Sequence, residues 1–435
     1  MVGPSLVWAC TGAVAPDAPP PPPPDILLVV LDTVRADRLR LYGAERDTSY
    51  QLEAMAAAGV TFDEAHTDGA WSWPTHASLL TGRPPWEHGA HFSRDNVGVA
   101  PFGDEHAWRV DVPDPGLATL PELLGPLGYR TEVASSNGWL AAELGLTRGF
   151  DQVVTTDNDG DTLAAARAAL DTDQPLLLLV NLMSAHGPYR VADEVPWAAR
   201  HRDTLAEGPL APWVVVERGV PGVDLTLRGP LGLTGEQAVA VGELGDASSI
   251  LQDLYDANLV RTDAALRALI EAWNASGRAG QPVIVTSDHG EALGESGLAG
   301  HGRRVPESIT HVPLVIYAPG RATPGQRVST PVTTTRIHHT VLDLTGQPSP
   351  QSLLSDIAGS PVRAMAWADP AWASKLGPPW TDGERAVLAD GTWTRSPDRA
   401  PDPDFPEGPP ADVPNRALDP DLRAQLEALG YAGGP

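Results

Sequence analysis

Several residue types are nearly missing from this chain. Cysteine occurs once, at Cys10, so no disulfide can close within the chain, and cysteine usage leaves the redox compartment open. Lysine also occurs once, at Lys375, and nearly all the positive charge is arginine. Positive charge is itself scarce: 30 Lys and Arg stand against 56 Asp and Glu, a net charge of −26. A phosphate backbone needs a basic surface, so nucleic acid is excluded as a partner. A small anionic substrate is compatible if one pocket is locally positive, and a bound metal ion is one way to make it so. No apolar run reaches the ~18 residues that a membrane-spanning helix needs. The hydrophobic share is an ordinary 42%, and 435 residues suffice for one large α/β domain with a smaller piece attached.

What the chain has in plenty is Pro (44) and Gly (43). Together with Arg and Ala they give the composition of a GC-rich genome. A proline run, Pro19 to Pro24, follows the stretch Val7-Trp8-Ala9-Cys10. That stretch resembles a bacterial lipoprotein cleavage box, with a bulky Trp8 where a small residue is usual. On this reading residues 1–24 are a signal remnant and stiff tether. Cys10 then carries the membrane anchor, and the protein is periplasmic or at the cell envelope. The alternative is a plain disordered tail.

Short, uninterrupted apolar runs follow, of the kind that forms strands buried on both faces. They are Asp25 to Asp32 (DILLVVLD), Leu176 to Leu182, Val283 to Thr286 and Val312 to Tyr317, with a weaker one at Thr131 to Ser135. Helical patterns separate them at Tyr50 to Ala58, Leu117 to Leu127, Asp161 to Leu170 and Ser249 to Trp273. Alternation of this kind predicts a mostly parallel sheet with helices on both faces. Residues 25–345 read as one catalytic domain, in which 190–245 is an irregular Pro- and Gly-rich insertion. Residues 346–435 read as a small α+β appendage with strand-like pieces at Val362 to Ala368 and Ala386 to Arg395, and a final helix from Pro420 to Leu429.

In a parallel sheet the ligand sits at the C-terminal strand ends. The polar residues there are Asp32, Ser184 to His186, Asp288 and His289. A buried Asp is costly unless it is paired, hydrogen-bonded or metal-bound. Asp288 and His289, adjacent at a strand exit, can both reach one cation. The stretch AWSWPTHASLLTG (Ala70 to Gly82) places Ser72 near a helix N-terminus, with Pro74 in the first turn, where backbone N–H groups favour an anion. Ser72 is then either a simple capping residue or a nucleophile.

Five stretches taken together resemble the sulfatase family of the alkaline phosphatase superfamily. They are LVVLDTVRADRLRLYG (28–43), WSWPTHASLLTGRPPWEHG (71–89), HGPY (186–189), TSDHGE (286–291) and HVPLVIYAPG (311–320). The closing LEALGY (426–431) is similar to the end of many members. The resemblance implies an alkaline-phosphatase-like α/β sandwich and a metal-dependent ester hydrolase. Asp32 and Asp288 match metal-binding positions, His289 stands where phosphate and phosphonate ester hydrolases have His, and Thr33 replaces a second Asp. Ser72 matches the nucleophile, which true sulfatases carry as formylglycine. Their signature, Cys or Ser, any residue, Pro, Ser, Arg, reads Ser72-Trp73-Pro74-Thr75-His76 here, and the loss of Arg argues against formylglycine at Ser72. His186 matches a histidine that binds the oxyanion or protonates the leaving group. His301, in GHGRR, stands where a substrate-binding Lys is common. His76 would contact the oxyanion or orient Ser72, and Glu291 would support His289 or start a helix.

One divalent ion held by Asp32, Ser72, Asp288 and His289 is expected. Ca²⁺ is usual in sulfatases, whereas three oxygens and a nitrogen suit Mn²⁺ or Zn²⁺. A second metal would need Asp263 with a His four residues on, where Arg267 stands. The expected substrate is a small anionic sulfate or phosphate ester, on a glycan or a lipid. The competing readings are an envelope phosphoryl-group transferase of the same fold and a non-catalytic glycan-binding relative.

Overall fold

The computed structural model describes residues 22–92, 110–187, 189–191, 194–201, 214–215, 226–227, 245–295, 299–302, 304–355, 361–366, 383–389 and 392–398. Cys10, Lys375 and the closing helix expected at 420–429 lie outside them. Eight strands form the central sheet: β1 (Ile26–Leu31), β2 (Val60–Phe62), β3 (Arg130–Ser135), β4 (Gln152–Thr155), β5 (Leu176–Leu182), β6 (Val283–Thr286), β7 (Leu314–Tyr317) and β8 (Gln326–Val328). Their order is β8-β2-β7-β6-β1-β5-β3-β4. From β6 through to β4 every pairing is parallel, whereas β7 runs antiparallel to both β6 and β2.

β1 is central because both its faces are apolar. Leu27, Val29 and Leu31 pack among residues of α1 (Tyr50–Ala58), α3 (Asp159–Ala169) and α4 (Gly245–Trp273). Ile26, Leu28 and Val30 pack on the other side, among residues of α2 (Ser72–Thr81) and α5 (Arg336–Leu344). Alternate side chains thus feed two cores, and each fully buried Val or Leu contributes about 1.5–3 kcal/mol. The helical pattern expected over Leu117 to Leu127 is shorter in fact. A helix over Leu120–Leu124, opened by a capping box of Thr119 and Glu122, tightens into a 3₁₀ turn over Gly125–Leu127, because Pro126 has no N–H to donate back to the Glu122 carbonyl.

A small antiparallel sheet follows near the C-terminus: β9 (Val362–Ala366), β10 (Gly383–Ala389) and β11 (Thr392–Asp398). The single strand-like piece expected over 386–395 is therefore two strands. Ala364, Ala366 and Ala386 pack on Ala70, Ala292, Val305 and Ile309, and Met365 N–H donates to the Asp68 carbonyl (3.0 Å). The appendage thus braces the segment that leads into Ser72.

Candidate active site

The sheet register assembles the site. Val30 pairs with Thr286 on parallel neighbours. Two residues further along each strand stand Asp32 and Asp288, both about 1% exposed or less. β1 stops there because Thr33 takes a left-handed conformation (φ 58°), which is costly for a β-branched residue. Three bonds hold it: Thr33 N–H donates to Asp288 Oδ1 (3.2 Å), its hydroxyl to the Asp32 carbonyl (2.7 Å), and Tyr255 OH to the Thr33 carbonyl (2.7 Å).

Ser72 arrives from the opposite side, as the first residue of a helix buried over its whole length. Its Oγ lies 3.3 Å from His289 Nε2 and accepts from Asn137 Nδ2 (3.0 Å). The same Asn137 amide also donates to Asp32 Oδ2 (2.7 Å), and Asn181 Nδ2 adds a second donor there (3.2 Å). His289 Nδ1–H donates to the Gly290 carbonyl (2.9 Å). That bond fixes the tautomer and turns the Nε2 lone pair toward Ser72.

Asp32, Asp288 and His289 each offer an atom within 4.8 Å of the others. Asp32 Oδ1 and Asp288 Oδ2 are buried and, among the described residues, have no hydrogen-bond donor. Orphaned carboxylate oxygens of this kind are costly in a low-dielectric site. Burial, then the charge of Asp288, push the Asp32 carboxyl above its ordinary range. Burial also pushes His289 down to about 3, keeping it the neutral ligand form. The donor set therefore fits a divalent cation. Asp263, considered for a second ion, instead caps α1 by accepting from Gln51 N–H (2.8 Å) and Leu52 N–H (3.2 Å).

His301 and His186 extend a row of imidazoles. The His301 ring lies 4.3 Å from that of His289 and 5.2 Å from that of His186, and the Gly187 carbonyl holds His186 Nδ1. His76 behaves differently. It is fully buried, its Nδ1–H donates to the Ser72 carbonyl (2.9 Å), and its Nε2 accepts from Asn181 (3.4 Å). It therefore fixes the Ser72 backbone and does not reach Oγ.

One expectation needs correction. Glu291 does not support His289, whose Nδ1 belongs to the Gly290 carbonyl, and it starts no helix: the next residues form the short strand Ala292–Leu293. Glu291 Oε1 instead meets His301 Nδ1 (3.0 Å), and Oε2 accepts from Tyr189 OH (3.0 Å). The other departure is Asn137, which was not singled out. It sits 65 residues from Ser72 in sequence, two residues beyond the strand Arg130–Ser135, the same offset as Asp288 beyond Val283–Thr286. Asn181 carried a signal, a lone amide within an apolar strand.

Carboxylates on adjacent parallel strands, a neutral histidine and a helix-start serine thus meet at the C-terminal edge of an alkaline-phosphatase-like sheet. The chain belongs to the sulfatase family, whose model matches residues 24–347. It is 30% identical over 105 residues to an N-acetylgalactosamine-6-O-sulfatase of Bacteroides thetaiotaomicron, covering 24% of this chain and only 18% of that relative. Among solved structures it resembles a protein in complex with its substrate D-glucosamine-2-N,6-O-disulfate (TM-score 0.61, 16% identity, 86% of this chain and 91% of that one). It also resembles the phosphonate monoester hydrolase of Agrobacterium radiobacter (TM-score 0.58, 18% identity, 94% of each chain). At these identities the structural likenesses establish the fold alone.

Proposed function

We propose that this protein is a metal-dependent hydrolase of sulfate or phosphate esters in which Ser72, unmodified, carries the attacking oxygen. One observation supports this most: Asn137 joins Ser72 Oγ to Asp32 Oδ2, so the attacking atom and the ligand cluster form one hydrogen-bonded unit. A divalent cation held by Asp32, Asp288 and His289, with Ser72 at its edge, would supply positive charge to the ester oxygens and favour ionised Ser72.

The chain's own groups do the rest. The N-terminus of α2 and the Asn137 amide favour negative charge at Oγ. His76 fixes the Ser72 carbonyl, and with it the direction of Oγ. His186 and His301 neutralise the remaining ester oxygens or protonate the leaving oxygen. Water then releases the ester from Ser72. The substrate class is a small anionic ester on a glycan or lipid. Residues 25–345 form the catalytic unit and 346–435 the appendage, and Cys10 with the proline run would tether the enzyme at the envelope.

The test is turnover of 4-nitrophenyl sulfate and 4-nitrophenyl phosphate by enzyme loaded with Ca²⁺, Mn²⁺ or Zn²⁺, with peptide mass spectrometry across residue 72. Ser72→Ala is expected to reduce turnover to background while far-ultraviolet circular dichroism is unchanged. An aldehyde at residue 72 would overturn the unmodified serine, and full activity in Ser72→Ala would overturn the nucleophile.

A further inference from the structure

Glu291 is an expensive residue to have where it is. It is 2% exposed. Such a group persists only where its oxygens are used. Both are: Oε1 meets His301 Nδ1 at 3.0 Å, and Oε2 takes the Tyr189 hydroxyl at 3.0 Å. Tyr189 is itself buried, 2% exposed, so the carboxylate is held from both sides. The neighbouring backbone is pinned as well, since Arg35 donates to the Glu291 carbonyl (2.9 Å). At Gly290, a Cβ would stand 2.0 Å from the Ser308 carbonyl, so the chain here has one path.

We propose that Glu291, seated by Tyr189, is a positioning residue that commits His301 to donate a proton from Nε2 to the leaving oxygen. This rests on the hydrolase reading above. A carboxylate on one imidazole nitrogen fixes the tautomer and ring angle and stabilises the imidazolium. The His289 ring packs 4.3 Å away, so the ring angle that Glu291 sets decides where Nε2 of His301 points. In the step itself ionised Ser72 Oγ, which carries no proton at attack or at departure, forms its bond to sulfur or phosphorus. The bond to the leaving oxygen breaks, and that oxygen takes the proton from His301 Nε2. In the second step His301 Nε2 takes a proton from water, whose oxygen attacks sulfur or phosphorus, and Ser72 Oγ departs. Glu291 keeps its hydrogen bond to Nδ1–H throughout.

Leaving-group dependence tests this. A 4-nitrophenoxide needs little protonation on departure, whereas phenoxide or an alkoxide needs it. In metal-loaded enzyme Glu291→Leu should lower kcat/KM for phenyl esters about 100-fold, and at least about tenfold more than for 4-nitrophenyl esters. Glu291→Gln, whose amide oxygen can still accept from Nδ1–H but carries no charge, should restore the tautomer and part of the difference. Tyr189→Phe should show the same selectivity more weakly, and it removes only one oxygen should Glu291→Leu fail to fold. Nitrogen-15 shifts of His301 in the metal-free protein should report the Nδ1–H tautomer in wild type and a mixture in Glu291→Leu. Equal losses on both esters, or an unchanged tautomer, overturn the proposal. Absence of turnover by wild type on every ester, with the tautomer effect intact, overturns the hydrolase reading instead.

Discussion

Asn137 divides its amide between an oxygen expected to attack and an oxygen expected to bind a cation. Replacing it with Ala leaves Ser72 Oγ unsupported, and kcat should fall by about 10²–10³, the range for losing one preorganised donor. Metal content should change far less, because the three ligand atoms remain. Asp288→Asn should act in the opposite manner. Metal uptake, measured by elemental analysis, should vanish. The metal-free protein should become more stable, with a higher Tm in chelator, because the charge of Asp288 is one of the causes that make Asp32 hard to ionise. Four of these residues were legible from sequence, since Asp32, Ser72, Asp288 and His289 end apolar runs or open a helix. Asn137 was missed although it too follows a strand, because Thr131 to Ser135 is a weakly apolar run whose end drew no attention. Glu291 was seen but paired with the wrong histidine: sequence adjacency favours His289, and only the fold brings His301 to it.

α2 carries Ser72, and its anchoring is polar as well as apolar. The Ser78 hydroxyl donates to the Pro74 carbonyl (3.1 Å) and lies 3.0 Å from His88 Nε2. Asp68, just before the helix, accepts from Thr335 (2.5 Å) at the start of α5. Burial pushes Asp68 from 3.8 up to about 7, against the hydrogen bond of Thr335. The sign follows directly. A folded carboxyl titrating above its unfolded value contributes stability at low pH that is lost as pH rises from about 4 to 7. Asp68→Asn should therefore raise stability relative to wild type at pH 8, by at most about 4 kcal/mol, and the difference should close near pH 4. Urea unfolding at both pH values measures it. Elements of this kind were read correctly where the pattern was long and apolar. The helix expected over 117–127 was overextended because Gly125-Pro126 overrides its periodicity.

The whole molecule carries a net charge of −26 and is read as drawing an anionic substrate. The far field therefore opposes encounter, and local positive charge must overcome it at short range. Added salt should screen the repulsion, so kcat/KM for a multiply sulfated oligosaccharide should rise between about 10 and 150 mM ionic strength. For a singly charged aryl ester it should hardly change. The central sheet and its two helical layers were legible because β1 is apolar on both faces. The antiparallel β7 was not, since an apolar run carries no direction. Its neighbour β6 has a further consequence. Asp32 and Asp288 face each other only because Val30 and Thr286 are in register, and 255 residues separate Thr33 from Asp288 in the chain. Natural variation is therefore confined unevenly. Relatives can lengthen or shorten the intervening loops by dozens of residues and keep the chemistry, whereas one residue gained or lost inside either short strand would silence it.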